Sequence, residues 1–104
     1  MADFRTKLTC SGTGRIVEKF DLVENGSSKS ITINVSFARR RNESGSSNPI
    51  CEEDVFPIKF WATGAEIIND TAVVDDYIHL ELEVRGFGNK MQLKAKHFDL
   101  LKGN

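Results

Sequence analysis

The segment Val55 to Ile68, VFPIKFWATGAEII, most constrains what this chain can fold into. Successive side chains of a strand point to opposite sides, so Phe56, Ile58 and Phe60 share one face while Pro57, Lys59 and Trp61 share the other. The alternation stops at Gly64, and Ala65 to Asn69 has the composition for one or two helical turns before polar Asp70 and Thr71. A strand that runs straight into a short apolar helix predicts a small barrel with the helix laid across its bottom.

The rest of the chain supplies the other staves. Phe4 to Phe20 reads as a long first strand in which Phe4, Thr6, Leu8 and Cys10 alternate with Arg5, Lys7 and Thr9. Its phase breaks at Gly12 and Gly14, which marks the sharp bend that a closing barrel requires. Glu24-Asn25-Gly26-Ser27-Ser28 carries hairpin chemistry, because Asn-Gly accepts the left-handed dihedrals of a tight turn. Ser30 to Phe37 is the second strand, with Ile31, Ile33, Val35 and Phe37 inward and Thr32, Asn34 and Ser36 outward. The polar run from Arg39 to Pro49 predicts a long mobile loop over about residues 38–54. The opening segment is the third strand. Tyr77 to Val84 is the fourth, with Ile78, Leu80, Leu82 and Val84 inward and Tyr77, His79, Glu81 and Glu83 outward. Gly86-Phe87-Gly88-Asn89 closes a second hairpin. Met91, Leu93 and Ala95 then alternate with Gln92, Lys94 and Lys96, and a phase slip near His97 turns Phe98 and Leu100 inward. Five strands with a short helix between the third and fourth describe an all-β, five-stranded Greek-key barrel of the oligonucleotide/oligosaccharide-binding (OB) type, whose second and third strands and adjoining loops usually form the binding face. A two-layer sandwich needs more strands than this chain supplies.

A chain of 104 residues holds one core and not two, so residues 1–104 are read as a single domain. Fourteen basic and fifteen acidic side chains leave a formal charge of -1, so any footprint for a polyanion must be local. No apolar run approaches the roughly 18 residues that span a bilayer, and MADFRTKL lacks the core of a signal peptide. A cytoplasmic protein is expected. Cys10 and Cys51 stand apart from any CxxC or Cys/His cluster, so no zinc site is expected. Their spacing allows a disulfide, although a reducing compartment favours free, buried thiols. There is no phosphate-binding Gly-rich loop, nucleophile elbow or metal signature, which predicts a protein that is not an enzyme and needs no cofactor. His79 and His97 are isolated and read as structural, and Glu52-Glu53-Asp54 as a solvated acidic run.

The opening segment, set within this order, resembles bacterial and phage single-stranded DNA-binding proteins, and the resemblance covers nearly the whole chain. Leu8-Thr9-Cys10-Ser11-Gly12 with Gly14-Arg15 is similar to that family's opening strand and glycine corner, Ser30 to Ser36 to its second strand, and Ile58 to Ile67, IKFWATGAEI, to its third strand and "Ala-Glu" helix. Tyr77 to Gly86 resembles the "Val-Tyr-Val-Glu-Gly" strand loosely, and Met91 to Leu101 the closing strand. The resemblance implies largely sequence-independent binding of single-stranded DNA, with RNA as an alternative ligand, in replication, recombination or repair. It also implies pairing into dimers or tetramers. The family's bacterial members usually carry a glycine-rich tail with an acidic, Phe-terminated tip, whereas this chain stops at Leu101-Lys102-Gly103-Asn104. Tail-mediated recruitment of partners is therefore not expected. A tailless chain of this length fits a phage or plasmid protein, or a relative of the primosomal replication protein built on the same barrel as a dimer. Aromatics are sparse as well: Val55 and Arg39 stand near positions where the family often has one.

The candidate binding residues follow. Trp61 offers a ring on which bases can stack while Lys59 neutralises phosphate, although a Trp at this point can equally cover one end of the core. Phe87, between two glycines at a hairpin tip, is either exposed for stacking or folded over the barrel mouth. Arg39, Arg40 and Arg41 can track a nucleic-acid backbone or simply solvate a loop. Lys94 and Lys96 on the fifth strand, with Arg85 and Lys90 beside the second hairpin, extend the groove or serve solubility. Glu81 and Glu83 repel phosphate from the outer face of the fourth strand, which leaves that face to solvent or another subunit. The competing reading is an OB-type module in which Trp61 and Phe87 contact a protein partner.

Overall fold

The computed structural model describes residues 7–41 and 50–101. Its elements run β1 (Leu8–Lys19), β2 (Val23–Asn25), β3 (Ser28–Arg41), β4 (Ile50–Trp61), α1 (Ala62–Thr71), β5 (Tyr77–Phe87) and β6 (Lys90–Leu101). β2 is a three-residue spur paired only with the start of β3, across a turn in which Gly26 takes φ +64°. Five long strands therefore build the barrel, with the helix between the third and fourth of them, as the sequence predicts. Phe4 to Thr6 of the expected first strand lie outside the described residues.

The barrel closes because β1 changes partners midway. Leu8 to Arg15 pair with Val84 to Tyr77 of β5, and Arg15 to Lys19 then pair with Ser36 to Ile33 of β3. Where β1 crosses from one partner to the other there is no room for a side chain: a Cβ on Gly14 would stand 2.5 Å from Val35 Cγ1 and 2.7 Å from the Ser36 carbonyl oxygen. Gly12 is not under this constraint, since a Cβ there would stand 3.4 Å from the Phe37 ring. A bulge between Ile16 and Glu18 adds twist just past the corner. The circuit is completed by antiparallel β3–β4 and β5–β6 ladders and by a short parallel pairing of β4 with β6, in which Ile58 meets Leu93 and Lys59 meets Lys94.

Inward positions of β1, β3, β4 and β5 meet in one core of Ile16, Ile31, Ile33, Val35, Ile58, Phe60, Ile78 and Leu80, all essentially without exposure, and β6 packs partly buried Leu93, Ala95, Phe98 and Leu100 against it. Burying each of the large aliphatic side chains is worth about 1.5–3 kcal/mol. The helix seals one end with Ala65 and Ile68, joined by Ala72 just past its end, and the Phe98 ring meets Phe60 edge-on at 5.1 Å. The other end stays open. There Cys10, Phe37, Phe56, Leu82, Met91 and Leu93 line an apolar cavity of about 230 Å³.

Four expectations are corrected. Phe56 points to the core side as expected but reaches the open end and is 37 % exposed, packed against Phe37 at 6.1 Å. Cys10 is a free thiol but an exposed one, because the first residues of β1 run along this rim rather than through the core. The helix starts at Ala62 and takes in Gly64, where the sequence reading placed a stop. The chain turns the corner with Ala62 in a left-handed conformation (φ 53°), and burial of Ala65 and Ile68 outweighs the weak helix propensity of glycine. Finally, the polar segment 38–54 is strand at both ends: the β3–β4 ladder continues through Ala38 opposite Glu53 to Arg41 opposite Ile50. Residues 42–49 lie outside the described residues.

Candidate nucleic-acid interface

Trp61 ends β4 and caps α1 with extended dihedrals, so its ring projects from the outer face of the sheet just where the chain turns into the helix. It is 38 % exposed. Lys59, two residues earlier on the same face, holds its ammonium 4.5 Å from the centre of that ring. This contact is a cation–π interaction, and it fixes a positive charge beside a flat aromatic surface. Trp61 is therefore not the core plug that the sequence left open; Phe60, its neighbour, has that role.

From Lys59 the pleat defines a row across the outer surface: Thr32 on β3, Lys59 on β4, Lys94 on β6, Glu83 on β5 and Thr9 on β1 are consecutive partners. Between β4 and β6 a shallow groove of about 200 Å³ is lined by Thr32, Pro57, Lys59 and Gln92, with Phe56, Met91 and Leu93 along its side. Thr32 and Gln92 supply neutral hydrogen-bonding groups that the sequence reading did not single out. Their outward phase was the available signal, but a polar outward residue is also what any exposed strand carries.

The cations sort by location. Arg15 pairs with Asp75 at 2.7 Å, Lys29 with Glu66 and Glu24, and Lys19 donates to the carbonyls of Asn69 and Ala72 at the end of α1. These brace the fold. Glu66, first as hydrogen-bond acceptor and then through its charge, raises the Lys29 pKa above its ordinary value. Among the described residues Lys59, Lys90 and Lys94 form no ion pair. They lie on β4 and β6, flanking the groove. Lys96 and Arg85 are intermediate: both reach Glu83, at 3.5 and 3.3 Å.

The two glutamates expected to repel phosphate differ. Glu81 is exposed and forms no ion pair among the described residues, whereas Glu83 is only 8 % exposed. Burial pushes the Glu83 carboxyl up, but Lys96, with Lys7 and Arg85, outweighs this and holds it below its ordinary value. Phe87 stands at the β5–β6 hairpin, 55 % exposed, with the Arg85 guanidinium 6.0 Å from its ring centre. It does not fold over the barrel mouth. Arg39, Arg40 and Arg41 lie on the β3 extension opposite Glu52, Cys51 and Ile50, in a ladder rather than a loop; their side chains are outside what the structure describes. The structure thus brings Trp61, Lys59 and Lys94 together, and puts Lys90, Arg85 and Phe87 on the adjoining hairpin.

His79 Nδ1 is hydrogen-bonded to Thr13 Oγ1 at 2.9 Å across β1 and β5. No group of three or more potential metal ligands occurs among the described residues, and no helix is long and apolar enough to cross a membrane.

No family model matches the sequence, and no curated protein matches it. Solved structures do match in shape. A Plasmodium falciparum SSB in complex with single-stranded DNA superposes with a TM-score of 0.77 at 11% identity, covering 98% of this chain and all (100%) of that one. The mitochondrial single-stranded DNA binding protein of S. cerevisiae gives 0.76 at 14% identity, over 96% of this chain and 99% of the other. The protein priB from Ralstonia solanacearum gives 0.70 at 7% identity, over 93% and 100%. At these identities the likeness is one of fold: the chain has the OB barrel in the form carried by these single-stranded DNA-binding proteins and by priB.

Proposed function

We propose that this protein binds single-stranded DNA without catalysing a reaction, coating it with little sequence preference and holding it open during replication, recombination or repair. One observation carries this reading: a partly exposed Trp61 with Lys59 at its ring shares an outward face with Lys94, which has no ion-pair partner among the described residues. A base stacks on the indole and the lysines meet successive phosphates, a combination that reads no sequence because every base has a π-face. Phe87 with Arg85 offers a second platform on the hairpin, Lys90 and Lys96 extend the cationic track, and Arg39, Arg40 and Arg41, carried by the β3 extension, are further candidates for phosphate contact. The likeness to an SSB solved with single-stranded DNA supports this assignment.

Single-stranded RNA presents the same rings and phosphates and is the alternative ligand. Exposed Leu8, Tyr77 and Met91 leave apolar surface for a second copy, which supports a dimer or tetramer, measurable by sedimentation. The proposed setting is the cytoplasm, including that of a phage-infected bacterium. The likeness to priB and the open apolar end of the barrel favour a second reading, an accessory module that contacts a replication protein.

Anisotropy of a labelled oligo-dT, with the matching duplex and an oligo-U as competitors, tests the proposal. Salt-sensitive binding that the duplex competes for poorly supports it, and competition by oligo-U places RNA among the ligands. No binding at low salt overturns it and leaves the accessory reading.

A further inference from the structure

We infer that Glu83 is a built-in competitor for the nucleic-acid backbone: it holds Lys96 and Arg85 back from phosphate and thereby limits how tightly the groove binds. This inference rests on the proposed binding of single-stranded DNA. Glu83 is the next outward residue after Lys59 and Lys94 along the row that crosses β4, β6 and β5. A strand laid over the first two lysines therefore arrives at this carboxylate. Glu83 is nearly buried in the sheet surface, with Oε1 3.3 Å from Arg85 Nη1 and Oε2 3.5 Å from Lys96 Nζ.

A carboxylate so placed needs its cations, because an unpaired buried charge is costly. The cations depend on it less, since both side chains remain roughly half exposed and so stay within reach of a ligand. Both contacts are longer than the roughly 2.7–2.9 Å of a strong charge-assisted hydrogen bond, which makes them exchangeable. Lys96 is placed for this by the β-bulge in β6: Glu81 pairs with His97 and Leu82 with Ala95, so Lys96 is the extra residue between them. A phosphate that takes Lys96 or Arg85 leaves Glu83 with fewer cations around it and a less compensated charge facing the DNA. Glu81, one turn of the pleat away, is the internal control: it is exposed on the same strand face and has no ion pair to release among the described residues.

The test is oligo-dT anisotropy over a series of salt concentrations with the native protein, Glu83→Gln and Glu81→Gln, each first shown to melt cooperatively. Glu83→Gln is expected to bind about tenfold tighter at low salt and to steepen the log–log salt slope by about 0.7 to 1.4, as one or two freed cations find phosphates on a single strand. Glu81→Gln is expected to gain less than about threefold with no change of slope, since it frees no cation. Lys96→Gln should cost more affinity in the Glu83→Gln background than in the native one. Equal gains from the two glutamine variants, or weaker binding by Glu83→Gln, would overturn the inference while leaving the proposed function standing. A native protein that does not bind at all overturns both. If Glu83→Gln does not fold, Glu83→Asp, which keeps the charge but withdraws it from Lys96 and Arg85, is expected to gain affinity to a smaller extent; no gain from it would count against the competitor.

Discussion

Phe60 and Trp61 adjoin in the chain, yet one is 1 % exposed at the centre of the barrel and the other 38 % exposed on its outside. The difference comes from the strand's period of two: on β4 Ile58 and Phe60 fill the interior, while Pro57, Lys59 and Trp61 form a surface. Two large aromatics of similar chemistry thus serve different ends. Phe60 touches Phe98 and the core and has nothing to offer a ligand. Trp61 keeps its ring reachable and carries a cation beside it. Burial of an aromatic by itself reports packing; an aromatic left half-exposed next to an unpaired lysine points to a partner.

The sharpest way to break this comparison is to truncate each ring and measure stability by denaturant melts. Phe60→Ala is expected to lose about 3–5 kcal/mol, whereas Trp61→Ala loses about 1 kcal/mol or less. Equal losses would show that both rings belong to the core. Gly14→Ala probes the interior side from the closing strand. Its Cβ would press on Val35 and on the Ser36 backbone, so a loss of about 1–3 kcal/mol is expected from overpacking, while Gly12→Ala is much milder. Similar melts for the two alanine variants would mean that β1 does not cross β3 as closely as described.

The outer side is sharpened by charge. Replacing both Lys59 and Lys94 with Gln should reduce the salt slope of oligo-dT binding by about 1.4, or 0.7 per lost phosphate contact. An unchanged slope would remove the β4–β6 groove from the interface. The smallest effect concerns acid. Because the Glu83 carboxyl is held below its ordinary 4.5, the folded state binds fewer protons than the unfolded one as pH falls through that range. Its stabilising contribution is present above pH 4.5 and is lost as pH falls through the lowered value. The melting temperature should therefore fall less on acidification in Glu83→Gln than in the native protein.

Much of this two-sidedness was legible in the residues. The alternation of Ile31, Ile33 and Val35, of Ile58 and Phe60, and of Ile78, Leu80 and Leu82 named core residues that are buried. The insertion of an apolar turn after Trp61 located the helix. Other features were hidden for physical reasons. The outer part of the β3–β4 ladder, with exposed Ala38 opposite exposed Glu53, presents no apolar face, so it leaves no period-two signal and reads as loop. The helix start at Ala62 was masked because Gly64 is a weak helix former, and only the packing of Ala65 and Ile68 reveals why it is tolerated. The exposure of Cys10 depends on where β1 leaves the core. For the site, the shared face of Lys59 and Trp61 followed from their spacing. The distinction between Lys96, paired with Glu83, and Lys94, unpaired among the described residues, did not, because it is made by Glu83 across a bulged ladder.

The most direct measurement is the intrinsic fluorescence of Trp61, the only tryptophan in the chain, during titration with oligo-dT at low and at high salt. Stacking of a base on the indole is expected to quench it saturably, with an apparent affinity that falls as salt rises. Oligo-dT binding that leaves the Trp61 emission unchanged would place the DNA elsewhere on the barrel and contradict the account.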